Sequence, residues 1–556
     1  MEQRLKDRLD LHDKLVKVRA PYEPMWQEIG DRLMPDSSIF FRKSTPGSKR
    51  TQLMFDATAP LALSRFGAAM ESMLTPRTQR WHGLRQRNPE LNERQDVQEY
   101  NEKRTEILFT MRYAPAANFA SQAHECYLSN GAWGTGILYT DDMMGNVHHG
   151  LRYRSCHLKE CYIAENFAGM VDMLHREYPY TARQAYQAFR GNVPKGVLKA
   201  YEKNPLQEFT FIHCVYPNPD FNERARYGLG SLKFLSMQLC KDEPFICREN
   251  NGYRTFPYAI SRNLTLPGET YGRGPASLIL PDIKQLNEFE KVMLRQGQLA
   301  VDPPILLSEE GSLSGFNMQP GALIWGGLNA DGEQLSKPFV TGARLDIGME
   351  MLEAKRKIIN DAFLVTLFQI LVDNPQMTAT EAMLRAQEKG QLLAPTMGRN
   401  QSEFLGPIIS RELEILEAAG IMPPPPPILL EYGDVYDVEY VSPLNRAQMA
   451  EEGVAINNTI AAAAPILSLD QDAIQVFKGK GAEMIRTLAK VNGMSPTLLN
   501  SDDDMKAEIE AANDAAMLNN IIAAAPLAGK AAKDIASAQA LAASSPSQQA
   551  PAILPQ

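Results

Sequence analysis

Two long helical stretches, Pro275–Ala300 and Ala343–Gln369, bracket residues 301–342, a segment rich in Pro, Gly and β-formers. Apolar residues recur at helical spacing in both. They are Ile279, Ile283, Leu286, Phe289 and Met293 in the first, and Leu345, Met349, Leu352, Ile359, Phe363 and Leu367 in the second. At about 1.5 Å per residue, each predicts a rod of roughly 35–40 Å. Between them, Asp302-Pro303-Pro304, Gly311, Gly315, Pro320-Gly321, Gly326-Gly327 and Asp331-Gly332 interrupt regular structure, leaving room for short strands at Ile305–Leu307 and Ala322–Trp325. A polar loop, Asp373-Asn374-Pro375-Gln376, follows, and Thr378-Ala-Thr-Glu381 then opens a new helix with a capping box. Such an order constrains the chain to a helical hairpin with a small module at its tip, an architecture for lining something. The exposed faces carry supportive pairs, Lys284–Glu288 and Glu353–Lys357. Lys355, Arg356 and Lys357 form the main basic cluster, a solvated face in a monomer and a circle of charge in a ring.

The 556 residues suggest about three or four modules at ~150 residues each. Their apolar share of 44% is ample for real cores. The net charge is −9. Proteins that grip nucleic acid usually show a basic excess, because affinity comes from neutralising phosphates. A chain of this charge that meets DNA is expected to let it slide. The charged opening Met1–Asp7 has no apolar core, so no signal peptide is expected, and no apolar run is long enough to span a membrane. Six cysteines, Cys126, Cys156, Cys161, Cys214, Cys240 and Cys247, form no CxxC pair and read as reduced core thiols.

Around the hairpin, the pattern predicts an α+β, predominantly helical protein. Leu5, Leu9, His12 and Val16 mark a first amphipathic helix, and Tyr22, Met25, Trp26, Ile29 and Leu33 a second. Thr58–Leu74 reads as a third, with Thr58 as N-cap and Pro60 in the first turn. A long helix from Asn88-Pro89 to Met111 and another at Asn118–Asn130 follow. From Gly131 the period changes, and residues 131–250 read as antiparallel strands with one short helix, Thr181–Arg190, among them. A kinked helix around Pro407, a polyproline connector at Pro423–Pro427 and a strand at Asp434–Val441 come next. Helices are expected near Ala447–Ala464 and Ala473–Val491. Beyond Asp502 the chain is Ala-rich, and from Ser544 it becomes a Ser/Pro/Gln tail.

Motifs that could carry chemistry have bland readings. Gly131-Ala-Trp-Gly134-Thr-Gly136 falls between a helix and a strand, the wrong order for a dinucleotide fingerprint, and no Walker A sequence occurs. His148, His149 and His157 lie near Cys156 and Cys161, yet adjacent strand residues point to opposite faces. Asp502-Asp503-Asp504 precedes a helix whose dipole it complements, and Asp141-Asp142 reads as a solvated turn. No nucleophile elbow and no HExxH is present, so neither a catalytic residue nor a cofactor is expected. A nucleotide-using enzyme built on residues 131–136 remains an alternative.

Several segments match a known family in order and spacing. They are Arg19-Ala-Pro-Tyr-Glu-Pro-Met-Trp26; Phe55-Asp-Ala-Thr-Ala-Pro-Leu-Ala-Leu-Ser-Arg-Phe-Gly-Ala-Ala-Met-Glu-Ser-Met-Leu-Thr-Pro76 with Gln79-Arg-Trp81; Tyr271-Gly-Arg-Gly-Pro-Ala-Ser-Leu-Ile-Leu-Pro-Asp-Ile-Lys-Gln-Leu-Asn287; Met377-Thr-Ala-Thr-Glu-Ala-Met-Leu-Arg385; Leu405-Gly-Pro-Ile-Ile-Ser-Arg411; and Tyr440-Val-Ser-Pro-Leu444. Over most of residues 1–500 the chain resembles the portal proteins, or head-to-tail connectors, of short-tailed bacteriophages. The resemblance implies a non-enzymatic ring, normally of twelve subunits, at one capsid vertex, built in the bacterial host cytoplasm. Double-stranded DNA would pass through it during packaging and ejection. The large terminase subunit, tail adaptor proteins, and the major capsid and scaffolding proteins would be its partners. Another tail or internal protein of the virion is the alternative within the same setting.

Carried onto this chain, the resemblance implies a wing at 1–270, stem helices at 271–300 and 343–369, a small β/α clip at 301–342, and a tunnel loop at 370–377. A wing helix and return strand at 378–445, a helical crown at 446–500, and an extension and tail at 501–556 complete the plan. It implies a DNA-channel loop at Leu371, Val372, Asp373, Asn374, Pro375 and Gln376. Stem charges fall at Lys355, Arg356 and Lys357, and clip docking residues at Pro303, Pro304, Phe316 and Trp325.

Overall fold

The computed structural model describes residues 2–37, 47–92, 94–142, 150–225, 227–301, 345–365, 397–433 and 435–440, the short segments 305–308 and 323–328, and a few isolated positions. The chain divides into two compact units, one of residues 1–87 and 101–451, the other of residues 88–100 and 452–556. The described part of the second unit holds a short helix, Pro89–Asn92, and the start of the helix Gln95–Arg112. The expected continuous helix from Asn88 is thus broken: Asn88 accepts the Glu90 N–H at 3.1 Å and closes a first turn that stops at Asn92. The helices expected near 447–464 and 473–491 lie outside the described residues.

In the first unit the helices α1 (Glu2–Arg19), α2 (Glu23–Leu33) and α3 (Thr58–Leu74) form where the apolar spacing predicts them. The cap of α3 differs from expectation. Ala57 holds the N-cap position, and the Thr58 N–H donates to Asp56 Oδ1 at 2.7 Å. Thr58 is thus the first helical residue, and the Asp56 carboxylate accepts its free N–H, while the cap position itself contributes no side-chain hydrogen bond. Helix α4 (Phe119–Trp133) packs against α2 and α3 and continues three residues past the expected end at Asn130. Gly131 lies inside it, where a side chain would meet Leu63 and Phe66 at 2.7 and 2.8 Å. Gly134 ends it at φ +80, close against the backbone of Gly274. The glycine-rich stretch is therefore consumed by packing.

Strands β1 (Thr135–Asp142), β2 (Leu151–Cys156) and β3 (Tyr258–Arg262) form a three-stranded antiparallel sheet in the order β2-β1-β3. A second antiparallel sheet is a plain meander of β4 (Cys161–Glu165), β5 (Val171–Thr181), β6 (Glu208–Pro217), β7 (Phe234–Cys240) and β8 (Phe245–Tyr253). This is the α+β mixture the periodicity predicts. Between β5 and β6 sit α5 (Ala182–Ala188) and α6 (Lys195–Lys203). Thr181 and Gln184 form a capping box on α5. Helix α6 is not expected from the sequence, because Gly196 and the flanking prolines mask a short apolar stripe. Its Val197 and Ala200 are nevertheless buried in one cluster with Phe209 and Phe211 of β6.

The bracket helices are shorter than the pattern predicts. A turn at Pro275–Leu278 precedes α7 (Leu280–Val301), and α8 (Leu345–Ala362) stops where Leu364 takes φ +59. Helix α9 (Gly406–Ala418) follows a π-helical turn at Gln401–Leu405. That turn, rather than a bend at Pro407 itself, absorbs the irregularity: Pro407 sits in the first turn of α9, where its missing N–H costs least. Strand Tyr436–Tyr440 pairs antiparallel with His82–Gln86 and ties the far end of the unit back to its beginning. Strands Ile305–Ser308 and Leu323–Leu328, where two short strands are expected, pair in parallel.

One core, built on Trp26, Phe66, Trp81, Tyr127, Trp133, Tyr153, Ile283 and Phe404, runs through the helices and the three-stranded sheet. All six cysteines lie buried and free. Arg112 and Glu412, each 0% exposed, form an ion pair inside it. Arg112 also donates to His82 Nε2 at 2.8 Å, and the Tyr153 hydroxyl donates to Glu412.

Candidate functional site

The bracket helices α7 and α8 pack antiparallel: Asp282 reaches Lys355 at 2.6 Å, and Gly348 abuts Met293 farther along. At the inner end, Ile283, Leu286, Leu352, Ile359 and Phe363 are buried, and the Phe363 ring meets Phe66 of α3 at 6.1 Å. The segment before α3 staples the two helices together. Asn287 Oδ1 accepts the N–H groups of Phe55 and Asp56 at 2.8 and 3.2 Å, while its own amide donates to Ile283 O. Asp56 Oδ2 in turn accepts from Arg356 at 2.8 and 3.0 Å. Burial works to raise the Asp56 pKa, but the hydrogen bonds from Thr58 and Arg356 outweigh it and hold the carboxyl below its usual range.

Two of the three expected stem charges are thereby neutralised within one chain. Lys355 pairs with Asp282, and Arg356 with both Asp56 and Glu290. Lys357 is exposed and has no ion-pair partner among the described residues. The expected pair Lys284–Glu288 also re-forms differently. Lys284 crosses to Glu28 of α2 at 2.7 Å, and Glu288 takes Lys291 at 3.3 Å. A tertiary partner within reach displaces a helical neighbour, which offers only a few tenths of a kcal/mol.

Beyond Asn287, α7 leaves the body. Glu288, Phe289, Val292, Leu294, Arg295, Gln296, Gly297 and Gln298 are all exposed. On α8, Met349, Met351 and Ile358 are exposed too. Phe289 and Met349, read from the sequence as part of the buried stripe, are thus on the outside, because each helix carries apolar residues on more than one flank. Val292, Leu294 and Met349 are 51, 56 and 59% exposed. Large apolar side chains left exposed along both helices offer surface for a contact.

Of the clip residues, Trp325 lies on the strand Leu323–Leu328 in register with Leu307, while Pro303, Pro304 and Phe316 lie outside the described residues. So do Leu371 to Gln376, along with His148, His149 and Asp502 to Asp504. His157 is structural. Its Nδ1 accepts the Lys159 N–H at 3.0 Å, its Nε2 donates to Ser37 O at 2.9 Å, and its ring lies against Phe40 and Trp133. Asp141 and Asp142 are not a solvated turn. They end β1, where Asp141 accepts from the Tyr139 hydroxyl at 2.6 Å and burial raises its pKa. Among the described residues no three His, Cys, Asp or Glu side chains converge, and no helix is long and apolar enough to cross a membrane.

The site is thus a set of exposed helical flanks standing on a packed body, the layout of a protein that assembles. The model of the family described as bacteriophage head to tail connecting protein matches residues 5–499, and the chain belongs to that family. It is 28% identical over 493 residues to the probable portal protein of Bordetella phage BPP-1, covering 86% of each chain. It is 22% identical over 537 residues to the portal protein of Salmonella phage epsilon15, covering 95% of this chain and 94% of the relative. The family is one of structural proteins of the phage particle, associated with capsid and tail, and points to no enzymatic activity.

Proposed function

We propose that this protein is the portal of its phage, a ring of about twelve copies around a channel through which double-stranded DNA is packaged and ejected. The observation that carries this reading is the projecting pair α7/α8, whose outward flanks bear Phe289, Val292, Leu294, Met349, Met351 and Ile358. A second copy placed side by side would bury these flanks by ordinary helix packing. Contacts of this head-to-tail kind close into a ring when the rotation between copies permits. The net charge of −9 suits a channel that must let DNA slide, since each phosphate neutralised would add salt-dependent grip. The internal pairing of Lys355 and Arg356 works in the same direction, leaving Lys357, with Arg295 of α7, as stem cations open to solvent.

In this reading α7 and α8 are the stem and residues 301–342 the clip, where terminase and later the tail adaptors dock with Trp325 in the docking module. Leu371 to Gln376 form the loop nearest DNA, residues 446–500 the crown, and the sheets and remaining helices the wing, which meets the capsid and scaffold. Electron microscopy of the purified protein tests it. Rings with a central channel are expected, and a population of monomers or dimers at micromolar concentration would overturn the reading.

A further inference from the structure

Two cross-strand rungs face each other across a cleft that the assembly role leaves unexplained. On the five-stranded sheet, Arg176, His213, Gln238 and Arg248 stand directly opposite one another on β5, β6, β7 and β8. On the three-stranded sheet, Arg154, Tyr139 and Tyr258 do the same on β2, β1 and β3. Residues in one rung share a face of their sheet. The His213 ring bridges the rungs, its two nitrogens bonded to the Tyr258 hydroxyl at 2.7 Å and to Ser236 Oγ at 2.8 Å. Between them lies a cavity of about 430 Å³, also walled by Tyr178 and Tyr180 and open past Arg190. It adjoins a second cavity of about 470 Å³, with Tyr139, Asp141 and Arg154 common to both.

The charges in this cleft do not cancel. Arg176 is matched by Glu160 at 2.9 Å. Arg154, Arg190 and Arg248 have no ion-pair partner among the described residues, and Arg248 donates only to the Ala188 carbonyl at 3.3 Å. Among the described residues Asp141 is the sole carboxylate on this cavity's wall and is engaged by Tyr139, while Asp142 joins it on the wall of the adjoining cavity. The His213 pKa is lowered to about 3, by burial first and then by Arg176 and Arg248. Three guanidinium groups without a carboxylate partner among the described residues line one cavity, Arg154 and Arg190 exposed at its rim and Arg248 half-buried. Such a set suits a ligand carrying more than one negative charge, and the planar fork of arginine matches tetrahedral oxyanions.

We propose that this cleft binds a small phosphate-bearing anion, held between Arg154 and Arg248 over the Gln238 amide. A monocarboxylate would neutralise only one of the three arginines. Inorganic phosphate and a phosphate ester share the chemistry, and the adjoining cavity, lined by Asn118 and Gln122, has room for the organic part of an ester.

Equilibrium dialysis of the full-length protein against labelled inorganic phosphate and, separately, against dAMP tests this. The expected result is saturable binding at one site per chain that weakens with salt. Arg154→Gln and Arg248→Gln should each weaken it about tenfold or more. Gln238→Glu, nearly isosteric, should abolish it by placing a carboxylate on the floor. Arg65→Gln, exposed on α3, should change nothing, and unfolding curves of all variants should match the parent. Affinity for dAMP at least about tenfold above phosphate identifies an esterified ligand, and equal affinity identifies the free anion. Absence of saturable binding for both probes, binding that survives all three cleft substitutions, or equal affinity for citrate overturns the proposal.

Discussion

The body of the first unit and the α7/α8 pair follow opposite rules. In the core of the body, the most deeply buried arginines are satisfied internally. Arg112 meets Glu412, and Arg262 meets Glu165 and Glu403. Arg19 bonds to Glu23 and to the carbonyls of Leu158, Lys159 and Cys161. In the helix pair, the ion pairs gather at the base, and the apolar residues farther out face solvent. The body also leaves large apolar side chains outside, Phe167, Leu206 and Tyr227 among them, but the helix pair carries its exposed apolar residues along two regular, mutually packed helices. Helices draw most of their stability from packed neighbours, so such flanks offer surface for a further packing partner.

The largest expected effect breaks the pair and spares the body. Val292→Asp combined with Met349→Asp should abolish rings in size-exclusion chromatography with light scattering. Both sites are exposed in the monomer, so the unfolding transition of the body should move by less than about 0.5 kcal/mol. Loss of both ring and body, or of neither, would erase the contrast.

The converse variant is Glu412→Ala. It leaves Arg112 buried without its counter-ion and Tyr153 without an acceptor, and should cost about 3–5 kcal/mol in denaturant unfolding. A change below about 1 kcal/mol would show that the body does not depend on its internal charges.

Acid should act on the body next. His175 and His213 are buried neutral, their pKa values lowered to about 3 by burial first and by neighbouring positive charge second. The unfolded chain takes up protons near pH 6.5 and the folded one does not. Their contribution is therefore intact above pH 6.5 and is lost progressively as pH falls toward 3. Glu177, lowered to about 2 by bonds from His12 and Lys241 that outweigh its burial, adds a loss of the same sign below about 4.5. His175→Phe should make the stability profile shallower between pH 6.5 and 4.5, where Glu177 does not yet contribute, with His213, His82 and His157 keeping their share of the slope. An unchanged slope would remove His175 from the account. Both His175 nitrogens lack a partner, so its ring serves packing alone.

The smallest effect sharpens the junction. Arg356→Gln should cost about 1–2 kcal/mol, because Asp56 is only 8% exposed and keeps its Thr58 bonds while losing its cation. A pH titration should then find the Asp56 pKa moved upward.

Much of the fold is legible in the amino-acid sequence. The order helix, insert, helix and the meander after residue 131 follow from periods of 3.6 and 2, which are local properties of the chain. Family membership is legible for the same reason, since Phe55–Pro76 and Tyr271–Asn287 keep their order and spacing. The departures from expectation share one cause. Thr58 loses its capping role to Asp56, Lys284 chooses Glu28 over Glu288, and Phe289 and Met349 turn outward, each decided by a group outside the local pattern or by the absence of one. The Arg176–His213–Gln238–Arg248 rung is invisible to a linear reading, because it depends on the register of four strands.

Periodicity and breakers by themselves determined that this chain makes a helical pair on an α+β body, and composition determined that it carries a net charge of −9. Tertiary structure decided which charges remain free, which apolar flanks stay uncovered, and which arginines converge. The physical reason is range: helix and strand preferences act over a few residues, whereas burial and ion pairing are set by whatever the fold brings within about 4 Å.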